Sequence, residues 1–299
     1  MSIIERAAEL LGSVPRTQQR PSTTREAAGN LKQDLIERAA GSISRHRDLS
    51  DGKPAQFAGR TTRALKVDRD RLRQQSMIAP DGERTAIAES FRRIKRQILA
   101  NMASSRSGAP PANLVLVTSA LAGEGKTFCA INLAISIALE MDRTVLLVDA
   151  DVAKPGVPQA LGLEAQKGLL DVLLDRRVDL AEVLWKTDIG RLLLLPAGTA
   201  HKHATELLAS DAMRELLREM AERYRDRIVI FDSPPLLAAS EAGALASQMG
   251  QIVVVVEAGK TSEAALKDAL GRIDASKVAG LLLNKGESPG LGYGYGGYG

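Results

Sequence analysis

A glycine-rich loop with one lysine stands directly after an apolar run and before a helical stretch, in the segment SALAGEGKT at residues 119–127. Its glycines let backbone N–H groups turn towards phosphate oxygens, Lys126 adds a positive charge, and the Thr127 hydroxyl can bind Mg²⁺. The N-terminus of the following helix contributes partial positive charge. The segment therefore predicts a site for the phosphates of a nucleotide, although Ala120 stands in place of the first glycine of the common pattern G-x-x-x-x-G-K-[ST]. The predicted nucleotide-binding residues of this loop are Ala122, Gly123, Glu124, Gly125, Lys126, Thr127 and Phe128.

Carboxylates follow two further apolar runs, in VLLVDADVAKP at residues 145–155 and in RIVIFDSPP at residues 227–235. Asp149 and Asp151 stand two positions apart, so both project on one face if the strand persists. Asp232 follows its apolar run in the position of a Walker B carboxylate, which reaches Mg²⁺ directly or through water. Such carboxylates can hold Mg²⁺ or accept a proton from an attacking hydroxyl. Taken alone, the Asp pair is equally compatible with capping of the segment that follows.

The elements that would position these residues are short apolar runs that alternate with helical segments. The runs are continuous in apolar character, which is typical of strands covered on both faces of a parallel sheet. The predicted strands are residues 114–119, 144–150, 191–197, 227–233, 251–258 and 278–284, and the predicted helices are residues 84–101, 127–141, 168–174, 205–223 and 261–272. This alternation predicts an α/β fold with a doubly wound, mostly parallel sheet. The phosphate-binding loop, which lacks the first glycine of the common pattern, makes it a predicted P-loop NTPase with deviant Walker motifs. Ligands of such sheets bind at the carboxyl ends of the strands, where the loop and the carboxylates stand.

The length and composition of the chain exclude several classes of protein. The chain has 299 residues, long enough for one large α/β domain with extensions or for two domains. Hydrophobic residues make up 44% but aromatic residues only 3%, so the core must be aliphatic. The single cysteine, Cys129, excludes a disulfide framework within the chain and a Cys-based zinc cluster, and a packing role is expected for it. No apolar run approaches the ~20 residues that a membrane span needs.

Positive charge is concentrated at the start of the chain. Residues 1–80 carry 15 Lys or Arg against 9 Asp or Glu, whereas the rest of the chain is close to neutral. We predict that residues 1–80 are a basic, largely disordered leader with a short amphipathic helix near its start. Such a leader is a solvated arm, or it meets acidic lipid headgroups, nucleic acid or an acidic partner. The scarcity of aromatic residues disfavours binding of single-stranded nucleic acid.

Together, the three motifs resemble those of the bacterial tyrosine kinases, P-loop enzymes unrelated to eukaryotic kinases. The family's helix motif E-x-x-R-x-x-R is matched by Glu89, Arg92 and Lys95, with lysine in the last position. A tyrosine-rich tail is matched by the last residues, GYGYGGYG, with Tyr293, Tyr295 and Tyr298. The AGEGKT loop and the ATELLAS stretch at 204–210 are similar to a subgroup encoded beside exosortase and exopolysaccharide genes. The resemblance covers about residues 84–299, and it divides the chain into a kinase domain at 81–285 and a flexible tail at 286–299.

The resemblance implies an ATP-dependent protein-tyrosine autokinase that phosphorylates its own tail and regulates exopolysaccharide biosynthesis or export. Lys126 and Thr127 would bind phosphate and Mg²⁺, and Asp149 would be the base for the tyrosine hydroxyl. Asp151 and Asp232 would organise the metal together with Thr127. Asn284 would contact the nucleotide base, and Lys154 stands where the family usually has arginine. ATP and Mg²⁺ are the implied cofactors.

The resemblance also implies partners and a place in the cell. A ring of copies would be built on the helix with Glu89, Arg92 and Lys95, with each tail phosphorylated by a neighbour. A membrane-embedded polysaccharide chain-length regulator and a cognate phosphatase would be the other partners, with no nucleic acid. The chain would be cytoplasmic and would associate with the inner membrane through its partner.

Two other functions remain open from the sequence. One is a partitioning or septum-positioning ATPase that dimerises on ATP, but the signature lysine of those proteins would align with Leu121. The other is a catalytically silent scaffold of a polysaccharide export complex, against which the intact lysine, threonine and three aspartates argue.

Overall fold

The computed structural model describes residues 64–82, 85–103, 111–140, 142–164, 167–223 and 227–286. Two predicted parts of the chain lie outside these ranges: the leader up to residue 63, with its amphipathic helix, and the tail from residue 287 with its three tyrosines. Among the described residues, no helix is both long enough and apolar enough to cross a membrane.

A single eight-stranded sheet forms the centre of the described fold. The strands are β1 Ala64–Leu65, β2 Leu114–Ser119, β3 Thr144–Asp149, β4 Trp185–Thr187, β5 Leu192–Leu195, β6 Arg227–Asp232, β7 Gln251–Glu257 and β8 Val278–Asn284. Their order in the sheet is β1-β4-β5-β3-β6-β2-β7-β8. The six strands predicted from apolar runs are β2, β3 and β5 to β8, and they are all parallel. Only β4 pairs antiparallel with its neighbour, β5, so the predicted mostly parallel sheet is confirmed.

Helices cover both faces of this sheet. They are α1 Arg69–Gln74, α2 Ala86–Ala103, α3 Lys126–Ala138, α4 Val157–Ala160, α5 Leu169–Leu174, α6 Leu180–Val183, α7 Ala204–Leu208, α8 Asp211–Arg223, α9 Ser240–Gln248 and α10 Glu263–Leu270, with a 3₁₀ turn at Ala275–Lys277. The single helix predicted at 205–223 is two helices, α7 and α8. Ser210 separates them, because its hydroxyl donates to the Leu207 carbonyl at 2.7 Å and accepts from the Met213 N–H at 3.2 Å.

Successive residues of the central strands pack into two different cores. In β3, Leu146 and Val148 lie in the core formed with α5 to α10. Val145 and Leu147 lie in the core formed with α1 to α4. Because both faces are covered, an apolar residue is needed at every position of the strand, which explains the continuous runs in the sequence.

The folded domain begins earlier than the boundary predicted at residue 81. Val67 and Leu72 are buried in the same core as α3. The Ile78 N–H donates to the buried Asn132 side chain of α3 at 2.7 Å. Residues 64–80 therefore belong to the domain, and the predicted leader is correct at most up to residue 63.

Candidate nucleotide and catalytic site

The phosphate-binding loop connects β2 to α3, at the carboxyl edge of the sheet. Gly123 and Gly125 have positive φ values of 86° and 94°, a backbone conformation that glycine adopts without steric cost. A Cβ added to Gly125 would collide with the side-chain amide of Asn284. Both glycines of the predicted loop therefore suit the backbone conformation at their positions.

Lys126 and Thr127 begin α3 and face the carboxylates of Asp151, which lies just after β3, and Asp232, which ends β6. The Lys126 ammonium lies 3.8 Å from Asp151 Oδ2, and both side chains are about nine-tenths buried. The Thr127 hydroxyl donates to Asp232 Oδ2 at 2.6 Å. The structure thus brings together the loop and two of the three predicted carboxylates through direct contacts.

Asp149 and Asp232 are register partners at the ends of the neighbouring strands β3 and β6. Asp149 Oδ2 accepts hydrogen bonds from the N–H groups of Gly156 and Val157, each at 3.0 Å. The strand ends at Asp149, so the condition that would place Asp151 on the same strand face is not met. Asp151 instead lies in the turn that follows, where its carbonyl accepts from the Lys154 N–H at 3.0 Å, and it reaches Lys126 from there.

The buried carboxylates are incompletely satisfied. Asp149 Oδ1 and Asp232 Oδ1 are both buried, and no hydrogen bond reaches either from the described residues. Burial, followed by the charge of Asp149, raises the pKa of Asp232. Burial also raises the pKa of Asp149, against the lowering effect of its bond from the Val157 N–H. Unpartnered carboxylate oxygens beside a threonine hydroxyl are the oxygen ligands that Mg²⁺ prefers, so the residues present fit this metal.

A cavity of about 690 Å³ opens beside the loop, and of the three predicted aspartates Asp151 lines it. It is lined by Ala122, Gly123, Gly125, Lys126, Thr127, Asp151, Ala153, Lys154, Thr205, Pro234, Pro235, Ala238, Ala239, Ser240 and Glu241. Sequence reasoning missed the wall formed by Thr205 and by residues 238–241. The two prolines after Asp232 are a signal for one part of this wall, and Thr205 lies in the ATELLAS stretch, to which the sequence assigns a resemblance but no role.

Three predicted nucleotide-binding residues contact protein groups with their side chains. Phe128 packs against Phe91 of α2, with ring centroids 6.5 Å apart, so its side chain faces the core. The Glu124 carboxylate accepts from the Leu121 N–H at 2.6 Å and from the Thr261 hydroxyl. The Asn284 amide donates to the Glu124 carbonyl at 2.9 Å. The side chains of Phe128 and Glu124 therefore serve the fold and the loop.

The motif residues of α2 do not share one environment. Arg92 pairs with Glu89 at 2.5 Å, and both side chains are partly exposed. Lys95 is buried, donates to the Ser136 carbonyl at 3.0 Å and pairs with Glu140 at 2.7 Å. Of the three motif residues, Glu89 and Arg92 thus lie on the accessible face of α2, whereas Lys95 joins α2 to the end of α3. Cys129 is buried in the core, as expected.

Comparison with known proteins decides the family. A family model described as an AAA domain matches residues 113–279. The tyrosine-protein kinase YwqD of Bacillus subtilis is 33% identical over 235 residues, which cover 78% of this chain and 95% of YwqD. The chain belongs to the bacterial tyrosine kinases. It is thus by family a protein-tyrosine kinase, and the predicted P-loop fold is confirmed.

Other members of this kinase family differ in length and in the names they carry. The succinoglycan biosynthesis transport protein ExoP of Rhizobium meliloti is 32% identical over 87% of this chain. The chain spans 31% of ExoP and also 31% of the tyrosine-protein kinase Wzc of Salmonella typhi, so it covers about a third of these longer relatives. One of these relatives is thus named for the biosynthesis and transport of a polysaccharide, succinoglycan.

Solved structures agree on the fold. The kinase domain of VpsO is 29% identical with a TM-score of 0.52, over 67% of this chain and 98% of that domain. The kinase domain of the Escherichia coli tyrosine kinase ETK has a TM-score of 0.59 at 24% identity, over 77% of this chain and 93% of that chain. At this lower identity the second likeness supports the fold alone.

Proposed function

We propose that the chain is an ATP-dependent tyrosine kinase that phosphorylates its own C-terminal tyrosines, Tyr293, Tyr295 and Tyr298, and thereby regulates the biosynthesis or export of an exopolysaccharide. One observation carries the proposal: Lys126, Thr127 and Asp151 line one cavity on the carboxyl edge of the sheet, and Thr127 donates a hydrogen bond to the buried carboxylate of Asp232. Membership of the kinase family supports the reaction, and the name of ExoP supports the polysaccharide.

The loop and its lysines would bind the nucleotide's phosphates. The cavity is lined by the backbone of Gly123 and Gly125 and by the side chains of Lys126 and Lys154. Backbone N–H groups and ammonium groups are the common partners of phosphate oxygens. Lys154 is a single-point donor where the family usually has the two-pronged arginine, so its contact with phosphate would be less directional.

Thr127, Asp151 and Asp232 would hold Mg²⁺. The Thr127 hydroxyl contacts Asp232 Oδ2, Asp151 lies beside Lys126, and the unpartnered Asp232 Oδ1 gives the metal a ligand that no protein group occupies among the described residues. When bound, Mg²⁺ supplies positive charge that offsets the charge of the phosphates.

Asp149 would act as the base for the tyrosine hydroxyl. Its Oδ2 is held by two backbone N–H groups, which leaves Oδ1 to accept a proton. The tyrosine oxygen forms a bond to the γ-phosphorus of ATP, the bond from that phosphorus to the bridging oxygen breaks, and ADP leaves. The proton of the hydroxyl passes to Asp149.

The tail begins beside the cavity. Asn284 ends β8 and contacts the loop, so the remaining residues start at the edge where the nucleotide would bind. Fifteen residues extend at most ~50 Å, enough to reach the chain's own cavity or that of a neighbouring copy. A ring of copies that contact one another through Glu89 and Arg92 on the accessible face of α2 would favour transfer to the neighbour.

A partner at the membrane would complete the assembly. We propose a membrane-embedded polysaccharide chain-length regulator, which would hold the chain at the cytoplasmic face of the inner membrane through the basic leader, and an opposing phosphatase. The name of ExoP, a transport protein of which this chain matches one part, supports such a partner.

The partitioning ATPase is less well supported. Leu121, which is 42% exposed, occupies the place of the signature lysine. A leucine side chain carries no positive charge with which to bind a phosphate. The relatives named above are kinases or a polysaccharide transport protein, which also disfavours a silent scaffold.

A mixing experiment tests transfer to the tail. Full-length Lys126→Ala protein is incubated with Mg-ATP and an active chain that lacks residues 287–299. Phosphotyrosine on the tail of the Lys126→Ala protein is expected, because that protein lacks the phosphate-binding ammonium but keeps the acceptor. No transfer would contradict phosphorylation between copies.

A further inference from the structure

The phosphate-binding loop is tied to a polar network outside the sequence motifs. The loop residue Glu124 is only 2% exposed, and both of its carboxylate oxygens are engaged. Oε2 accepts from the Leu121 N–H at 2.6 Å, and Oε1 accepts from the Thr261 hydroxyl. A buried carboxylate that loses a partner is strongly destabilised, so the position of Glu124 depends on both donors.

Thr261 lies in the turn between β7 and α10 and is itself buried. Its oxygen accepts a hydrogen bond from the Glu257 N–H at 3.0 Å. Because the oxygen is already engaged as an acceptor, the hydroxyl proton is directed towards Glu124. A continuous set of hydrogen bonds thus runs from the end of β7 through Thr261 and Glu124 to the loop backbone.

Two residues at the end of β8 donate hydrogen bonds to carbonyl groups of the same loop. The Asn284 amide donates to the Glu124 carbonyl at 2.9 Å, and the Lys285 ammonium donates to the Gly123 carbonyl at 2.7 Å. Lys285 also pairs with Glu257 at 3.3 Å. Glu257 therefore contacts both Thr261 and Lys285, and the two anchors form one network.

The planarity of the peptide bond means that these contacts also fix the direction of the loop N–H groups. In a trans peptide the C=O and the following N–H point in opposite directions. The Gly123 carbonyl points to Lys285, so the Glu124 N–H points away from Lys285. The Glu124 carbonyl points to Asn284, so the Gly125 N–H points away from Asn284. Both N–H groups are thereby held free of these anchors in a loop whose glycines line the cavity.

We propose that Thr261 is a positioning residue for the kinase: through Glu124, and together with Asn284 and Lys285, it orients the loop N–H groups for the phosphates of a nucleoside triphosphate. The inference rests on the proposed function, since it concerns the same nucleotide site. It assigns that orientation to the β7–α10 turn, which none of the recognised motifs includes.

Replacement of the Thr261 hydroxyl tests the proposal. In Thr261→Val the shape is kept, but Glu124 loses a donor and the Glu257 N–H loses its acceptor. The KM for ATP and the Kd of a fluorescent ADP analogue should both rise about tenfold, as expected for a lost hydrogen bond to a charged group, with a much smaller change in kcat. Thr261→Ser restores the hydroxyl and should return both constants to within about twofold of those of the unchanged protein.

The neighbouring residue provides a matched control. The Ser262 hydroxyl caps α10 by accepting from the Ala265 N–H and does not contact the loop. Ser262→Ala should therefore lower the melting temperature and leave the KM for ATP unchanged.

The outcomes separate the two proposals. An active Thr261→Val protein with unchanged KM and Kd overturns the positioning role and leaves the proposed function standing. An equal rise in KM for Ser262→Ala overturns it as well, because the effect would then come from a weakened helix. An unchanged protein that binds no ATP overturns both proposals.

Discussion

The two glycines of the phosphate loop share a left-handed backbone but differ in what surrounds them. A Cβ on Gly123 would meet no atom within 4 Å, whereas a Cβ on Gly125 would collide with the Asn284 amide. The left-handed conformation costs either alanine about 1–2 kcal/mol. Gly125→Ala should therefore weaken ADP binding more than Gly123→Ala, because only it also displaces Asn284.

Isothermal titration calorimetry with Mg-ADP measures this difference directly. Equal losses of affinity in the two variants would show that backbone strain alone matters at these positions. They would also contradict the contact between Asn284 and the loop.

At the scale of single residues, the sequence predicts the residues that belong to a phosphate-binding or metal-binding motif. It misses residues that reach the site only because the fold brings them there. Lys126, Thr127 and Asp232 were predicted because their types and spacing are required for binding phosphate and metal. Thr261 carries no such signal, since a threonine before a helix cap is common. Its role arises only because the β7–α10 turn passes beside the loop.

Among the elements, α2 and α3 are joined by a buried lysine. Lys95 donates to the Ser136 carbonyl and pairs with Glu140, whose side chain is 39% exposed. Lys95→Met should lower the free energy of unfolding by about 1–2 kcal/mol, because a hydrogen bond from a charged group is lost while the partly exposed pair contributes little.

Urea unfolding of the monomer measures this change, with Arg92→Ala as the comparison. Arg92 lies on the accessible face, so its replacement should alter the free energy of unfolding by less than about 0.5 kcal/mol. If Lys95→Met leaves monomer stability unchanged and only reduces self-association, Lys95 belongs to a ring contact after all.

The elements that the sequence predicts are those with enough length to show a pattern. The six parallel strands are continuous apolar runs because both faces of the sheet are covered. β1 and β4 have two and three residues, too few for any periodicity. The break between α7 and α8 depends on one serine hydroxyl, which a helical pattern over 205–223 does not reveal.

At the scale of the whole molecule, the start of the domain decides how the leader can be studied. Deletion of residues 1–80 would remove Val67, Leu72 and Ile78 from the core. Full burial of such side chains is worth about 1.5–3 kcal/mol each, so the deletion should cost roughly 5 kcal/mol, comparable to the whole stability of a domain. Deletion of residues 1–63 should keep the described fold.

Circular dichroism with urea titration compares the two deletions. Equal unfolding midpoints would contradict the packing of residues 64–80 into the domain. The role of the leader at the membrane should accordingly be tested with the deletion of residues 1–63, which is expected to keep the described fold.

The central claim is that the cavity at the carboxyl edge transfers phosphate to the tyrosine tail. Trypsin cleaves after Lys285, and the resulting peptide of residues 286–299 contains Tyr293, Tyr295 and Tyr298. Mass spectrometry of this peptide after incubation of the purified chain with Mg-ATP is the most direct measurement. We predict phosphate on these tyrosines in the unchanged chain and its loss in Lys126→Ala; an unmodified tail, or equal phosphorylation of the two proteins, would contradict the claim.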